Sequence, residues 1–283
     1  MSWLVVTPAR NEAHRLPVLA RSLAAQAPGL IGQWVVVDDG STDGTAHCLP
    51  ADLPFTASVV ARTNDGGLAR GSAFGAWRFG AEHGLTLLPT ATRVLKLDAD
   101  VVLDDDCFAR LAAEAPQAGI AGAVLRGEGE VLRRDYTRGP VKSYSRAAYD
   151  VVRVLPTAVG FDVVDEVAVR QAGLAVQLVD SARATVTRET GSSEGLLRGR
   201  YRGGVVARWT GYHPLYVALR LLRYLGRRPY VIGAFATAWG WATAGPGPYP
   251  ADLRAALRRE QSGRLRRLLR HPRAGARLYG VRP

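Results

Sequence analysis

Trp34-Val35-Val36-Val37-Asp38-Asp39-Gly40-Ser41-Thr42-Asp43-Gly44-Thr45 opens as a β-branched run and closes in carboxylates and turn residues. A strand buried on both faces reads this way, with its polar groups released at the C-terminal end. A second stretch repeats the pattern about sixty residues on: Val94-Leu95-Lys96-Leu97-Asp98-Ala99-Asp100. In an open α/β sheet the C-terminal strand edge is where ligands bind. Carboxylates gathered there can hold a divalent cation, and the cation a diphosphate. The plainer use of such acids, capping a turn or a helix, needs one per site rather than two or three.

The flanking chain fits a sheet alternating with helices. Residues 3–7 read as a strand, Pro8 to Glu12 as a polar turn, and the chain to Gln26 as a helix. Residues 56–62 read as a strand less apolar than its neighbours, hence nearer an edge. Leu68 to His83 reads as a helix, 93–98 as a strand, Asp104 as a helix start and 119–125 as a strand. Helices of this length between strands predict a mostly parallel sheet with right-handed crossovers. Beyond Arg126 the pattern loosens. Val141 to Val154 reads as a helix crossing the sheet face. Val163 to Ala172 reads as a helix closed by Gly173 and succeeded by a strand from Leu174 to Val179. Glu189 to Gly204 reads as a Gly/Arg-rich loop entering a helix, and Gly211 to Pro214 interrupts the next helix. The expected organisation is an α/β domain over 1–204 and a helical, Arg-rich extension over 205–283.

Bulk properties narrow the function. The 283 residues are 47% apolar and 22% charged, ordinary for a globular protein, but the net charge is +12. Such a charge predicts an anionic partner: a phosphorylated substrate, a membrane face or nucleic acid. Cys48 and Cys107 are the only cysteines and form no CxxC, so neither a zinc site nor a redox pair is indicated. With no secretory pattern at the N-terminus, a cytoplasmic setting is expected. The apolar stretch Tyr230 to Ala242 is shorter than the ~20 residues of a spanning helix. No GxGxxG comes after the first strand and no GxxxxGK[ST] occurs, which argues against a dinucleotide fold and a P-loop.

Thr7-Pro8-Ala9-Arg10-Asn11-Glu12, the turn Val37 to Thr45 and Leu97-Asp98-Ala99-Asp100 resemble the signature stretches of glycosyltransferase family 2, which has the Rossmann-like GT-A fold. Gly160-Phe161-Asp162-Val163-Val164-Asp165-Glu166 resembles the acidic motif that carries that family's catalytic base. The resemblance implies inverting transfer of a sugar from a nucleotide-diphosphate donor to a hydroxyl, with Mg²⁺ or Mn²⁺. It implies that Pro8, Ala9 and Glu12 line the nucleotide pocket, that Asp39 reads the base, that Arg70 approaches base or phosphate, and that Asp98 and Asp100 hold ribose and metal. Asp165-Glu166 inverts the family's usual spelling, so either acid is a candidate base. Asp165 is preferred, because a helix starting here would turn its first-turn carboxylate to the cleft.

Many family members carry a metal-binding histidine after the next strand, where this chain has Ala184-Thr185-Val186-Thr187-Arg188-Glu189. Arg198 and Arg202, with Arg188 and Arg200, are instead candidates to pair with the donor diphosphate. Aromatic residues and arginines interleave between Tyr212 and Tyr249. They predict a peripheral surface for the cytoplasmic face of an anionic membrane, and so a lipid-linked or envelope-glycan acceptor. Two other readings stand beside this one. A nucleotidyltransferase would need an N-terminal glycine-rich phosphate loop, and a nucleic-acid-binding protein rests on charge alone.

Overall fold

The computed structural model describes residues 2–64, 72–127, 136–187, 195–226 and 228–270. Among the described residues eight strands form one sheet: β1 (Trp3–Ala9), β2 (Ile31–Asp38), β3 (Thr56–Ala61), β4 (Arg93–Leu97), β5 (Val101–Leu103), β6 (Ile120–Arg126), β7 (Val141–Ser145) and β8 (Val176–Val186). Their order is β3-β2-β1-β4-β7-β6-β8-β5. The half from β3 to β4 is parallel, and β3 is an edge strand, as its composition predicted. The helices are α1 (Leu16–Ala24), α2 (Ser72–Leu87), α3 (Cys107–Glu114), α4 (Arg146–Val152), α5 (Phe161–Gln171), α6 (Leu196–Trp209), α7 (Pro214–Leu225), α8 (Tyr230–Thr243) and α9 (Ala251–Arg270).

Both faces of β1, β2 and β4 are buried, and the alternation of their side chains divides the core. Trp3, Val5, Trp34 and Val36 belong to one cluster with α1 and α3. Leu4, Val6, Val35 and Val37 belong to the other, with α2, α4, α5 and α9. Helix α2 lies directly on the strands. A Cβ on Gly80 would sit 2.4 Å from Val37 Cγ2, and one on Gly84 2.5 Å from Leu4 Cδ1.

The structure departs from the sequence reading after Arg126. Residues 141–145 do not begin a helix but form β7, antiparallel to both β4 and β6. The helix starts only at Arg146, where the Ser145 hydroxyl caps it by accepting from Ala148 N. Strand and helix adjoin without a loop, so the periodicity changes within one apolar stretch and a helix reading absorbed both. The sheet is therefore mixed. Strand β8 runs on to Val186, beyond the expected Val179, and pairs antiparallel with the short β5. The boundary expected at 204/205 falls inside α6.

Candidate active site

The site grows out of strand ends brought level by register. Ala9 pairs with Asp38 and Asp38 with Ala61, while Val6 pairs with Lys96. Extending that last register two residues puts Pro8 level with Asp98. The turn after β2 and the Asp98–Asp100 turn after β4 thus share one sheet edge.

Most polar groups of the first turn brace the backbone. Asp38 Oδ1 accepts from Ser41 N (2.9 Å), and Asp43 accepts from Ala13 N and Thr45 N (both 3.1 Å). The Thr45 hydroxyl donates to Asp43, which with these N–H groups holds the Asp43 carboxyl below its usual range. Asn11, at φ 56°, accepts from Thr42 N (2.8 Å), and Glu12 N donates to Thr45 Oγ1 (2.9 Å). The two βα turns are therefore stitched together. Asp39 is the acid of this turn set apart: its N–H donates to Ala9 O, and its nearly buried carboxylate meets Asn64 Nδ2 at 2.6 Å and Arg62 Nη1 at 3.5 Å. Glu12 is buried and paired with Arg15 at 2.8 Å.

Asp98 is half-buried and engaged by Lys96, which lies two residues back on the same strand face and also donates to Gly139 O (2.9 Å). Burial raises the Asp98 carboxyl while Lys96 pulls it down, and Asp162 and Glu12 add to the rise. Burial would lower Lys96, but Asp98 and Asp162 hold it above its usual range. Asp100 closes the turn, and its carbonyl accepts from Thr187 N (2.8 Å) and Thr187 Oγ1 (3.0 Å). The chain after β8, which lacks the family's histidine, thus brings a threonine to Asp100. Among the described residues no group of three His, Cys, Asp or Glu side chains is arranged to hold a metal.

The acidic motif is arranged differently from expectation. Helix α5 starts at Phe161, after Gly160 in the left-handed region (φ 90°). Its first-turn acid is therefore Asp162, and Asp165 and Glu166 lie a turn further in. Asp165 is 0% exposed; it accepts from Lys142 Nζ (2.9 and 3.0 Å), Tyr144 OH (2.7 Å) and Glu166 N (2.7 Å). Burial, with Glu166 and Asp162 nearby, pushes its carboxyl up to about 6 against the charge of Lys142. Glu166 is as deeply held, by Thr137 N (2.7 Å), Thr137 Oγ1 (2.6 Å) and Arg170 Nη1 (3.2 Å). Arg170 passes the chain of charges on to Glu260 of α9 at 2.9 Å. The reason lies in β7: Lys96 and Lys142 are paired directly across β4 and β7. Two buried ammonium groups side by side require carboxylates. Asp98 serves the first and Asp165 the second.

Asp162 is exposed and borders the site. A Cβ on Gly139 would lie 2.4 Å from Asp162 Oδ2, and the same Gly139 supplies the carbonyl that Lys96 meets. Sequence reading passed over Asp162, although a glycine with an acid after it in the first turn is a helix-start signal. Of the remaining expected residues, Pro8 and Ala9 end β1 at the edge, and Arg198 (exposed) and Arg202 (half-buried) ride on the first two turns of α6. Arg70 and Arg188 lie outside the described residues.

The model of glycosyl transferase family 2 matches residues 4–149, the stretch holding β1 to α4 and both carboxylate turns. The chain belongs to glycosyl transferase family 2. It is a glycosyltransferase with a GT-A fold. Comparison with curated protein sequences gave no match. Among solved structures, it is similar to the mannosyltransferase PcManGT from Pyrobaculum calidifontis in complex with GDP-Man and Mn²⁺ (18% identity, TM-score 0.56, covering 99% of this chain and 85% of that one). It is also similar to S. aureus TarS 1-349 in complex with UDP-GlcNAc (18%, 0.55, 99% and 90%). A third is glucosyl-3-phosphoglycerate synthase from Mycobacterium tuberculosis in complex with Mn²⁺, UDP and phosphoglyceric acid (19%, 0.50, 70% and 75%). At these identities the likeness establishes the fold.

Proposed function

We propose that this family 2 glycosyltransferase transfers a sugar, with inversion, from a nucleotide-diphosphate donor to an acceptor hydroxyl. The observation that carries the reading is that Asp39, Asp98 and Asp162, from three separate elements, all border one sheet edge. Asp39 receives the base: its carboxylate accepts from ring or exocyclic N–H donors, and Arg62 and Asn64 hold it in place. Pro8, Ala9 and Glu12 wall the nucleotide. Asp98 and Asp100 offer hard oxygen ligands, which suit Mg²⁺ or Mn²⁺ shared with a diphosphate and water. The bound cation would neutralise charge gathering on the leaving diphosphate. Bound nucleotides in the similar structures, with Mn²⁺ in two of them, support this donor class.

For the base the burial of Asp165 and Glu166 favours Asp162 instead. A general base must reach the acceptor hydroxyl. Asp162 is exposed beside Gly139, whereas Asp165 and Glu166 are committed to Lys142, Tyr144, Thr137 and Arg170. Asp162 Oδ would take the hydroxyl proton as that oxygen attacks the anomeric carbon from the side opposite the diphosphate. The deciding experiment is a thermal-shift panel of UDP, GDP, dTDP and CDP with and without Mn²⁺. One nucleotide should stabilise the protein in a Mn²⁺-dependent way that Asp100→Ala abolishes. Absence of any such shift refutes the donor reading.

A further inference from the structure

Helix α8 is built with its large side chains outward. Gly233, Ala234, Thr237 and Gly240 are its buried residues. Val231 (65% exposed), Ile232 (62%), Phe235 (66%) and Trp239 (55%) face away from the protein, and the Phe235 and Trp239 rings stack on each other. The inner seam is held by backbone approach. A Cβ on Gly240 would stand 2.1 Å from Tyr201 O, and one on Gly204 2.0 Å from Thr237 O. Helix α7, packed against α8, also turns large apolar side chains outward, Leu215, Leu219 and Leu222 recurring along one exposed stripe, while Val217 is buried and Leu221 and Tyr224 are half-buried. In water this is costly, since the driving force for folding comes from putting large apolar groups inside. Small residues in the seam and large apolar ones outside are the pattern of helices whose surroundings are themselves apolar.

Charge identifies the surroundings. From Gly195 to Ala251 the sequence holds eight arginines and no lysine, aspartate or glutamate. Arg200 stacks 3.7 Å over Tyr224 and Arg220 5.3 Å over Tyr212. Aromatic and arginine side chains together settle at a headgroup boundary. The 14 residues of α8 extend only about 21 Å, short of a ~30 Å hydrocarbon core. No described helix is long and apolar enough to cross a membrane.

We infer that α7 and α8 form an interfacial docking element that seats their outward apolar faces in the headgroup layer of an anionic bilayer. The face is joined to the acceptor side of the site. Helix α6, whose backbone packs on α8, also presses Val206 and Thr210 on Gly160, the residue that starts α5 before Asp162. Membrane seating thus sets the cleft beside the lipid surface and lets a lipid-linked hydroxyl serve as acceptor.

The test is co-sedimentation of the full chain with phosphatidylglycerol–phosphatidylcholine vesicles at physiological salt. The protein should pellet with these and far less with pure phosphatidylcholine. Arg223→Gln/Arg228→Gln should weaken binding about fivefold per arginine, and Phe235→Ser/Trp239→Ser by about tenfold or more. Circular dichroism and Tm should stay at wild type in both, because these side chains are exposed. Brominated lipid should quench tryptophan fluorescence, and Trp239→Phe should remove most of that quenching while the protein still binds. Protein remaining in the supernatant overturns the inference. So does binding that ignores the Phe235/Trp239 substitutions, or a concentration-dependent dimer abolished by them without vesicle binding, which would make a second copy the occupant. These readouts need no donor or turnover, so they stand or fall apart from the nucleotide assignment.

Discussion

The parallel half of the sheet and the α7–α8 pair contain much the same apolar residue types and use them in opposite senses. In β1 and β2 tryptophans and valines are fully buried on both faces, and the polar groups collect at one edge. In α8 the glycines and small residues are inside, and phenylalanine and tryptophan are outside. The first arrangement is what water alone selects, and its by-product is a row of carboxylates at strand ends. In the second, glycine lets the helix backbones approach, and large apolar side chains are left facing out. One chain thus holds the carboxylate edge, the proposed donor site, apart from an exposed apolar helix face, the proposed membrane surface.

The comparison breaks first at the site edge. Asp162→Asn should lower kcat by roughly 10²–10⁴-fold while nucleotide affinity and Tm stay near wild type. Single-turnover kinetics checks it, and an unchanged rate returns the base to the buried pair. Next comes the ion network beneath. Lys142→Met leaves Asp165 buried without its cation and should cost about 3–5 kcal/mol in denaturant unfolding. Lys142→Met/Asp165→Leu should recover much of that loss, which a binding role for Lys142 does not predict. A smaller effect is expected at the nucleotide end. Asp39→Ala should weaken nucleoside diphosphate binding by ~1.5–3 kcal/mol, read by calorimetry, with the chemical step less affected. The smallest change sharpens the contrast itself. Phe235→Ala should shift stability by no more than about 0.5 kcal/mol. Phe108→Ala, at a 0% exposed core position against Trp3, should cost about 3–5 kcal/mol. Equal losses at the two phenylalanines would mean that the α8 face is covered.

How far the fold was legible depended on where each element's reason lies. Strands β1, β2 and β4 announce themselves locally, since burial on both faces demands β-branched runs and the turns after them demand glycine, serine and aspartate. The carboxylates of the sheet edge came from those runs and their turns, and the family resemblance from them together with the acidic motif at Gly160 to Glu166. The sequence reading set capping aside for these acids, yet Asp38 and Asp43 brace the turn backbone, and the separate role of Asp39 needed the neighbouring Arg62 and Asn64. Strand β7 was not legible. It exists because β4 and β6 leave a place between them, and Val141-Lys142-Ser143-Tyr144-Ser145 has no local reason to stop being helical before the Ser145 cap.

That one element decided the acidic motif. The sequence determined that carboxylates cluster over residues 162–166 near a helix start. Only the tertiary structure set Lys142 across from Lys96 and so drew Asp165 inward, turning Asp162 outward at the first turn of α5. In the same way the sequence determined that arginines and aromatics gather after residue 195, and the fold decided which of them face out. The reason is the same in both cases. Periodicity and turn chemistry act over a few residues, whereas the partner of a buried charge and the outward face of a helix are set by chain segments far apart in sequence.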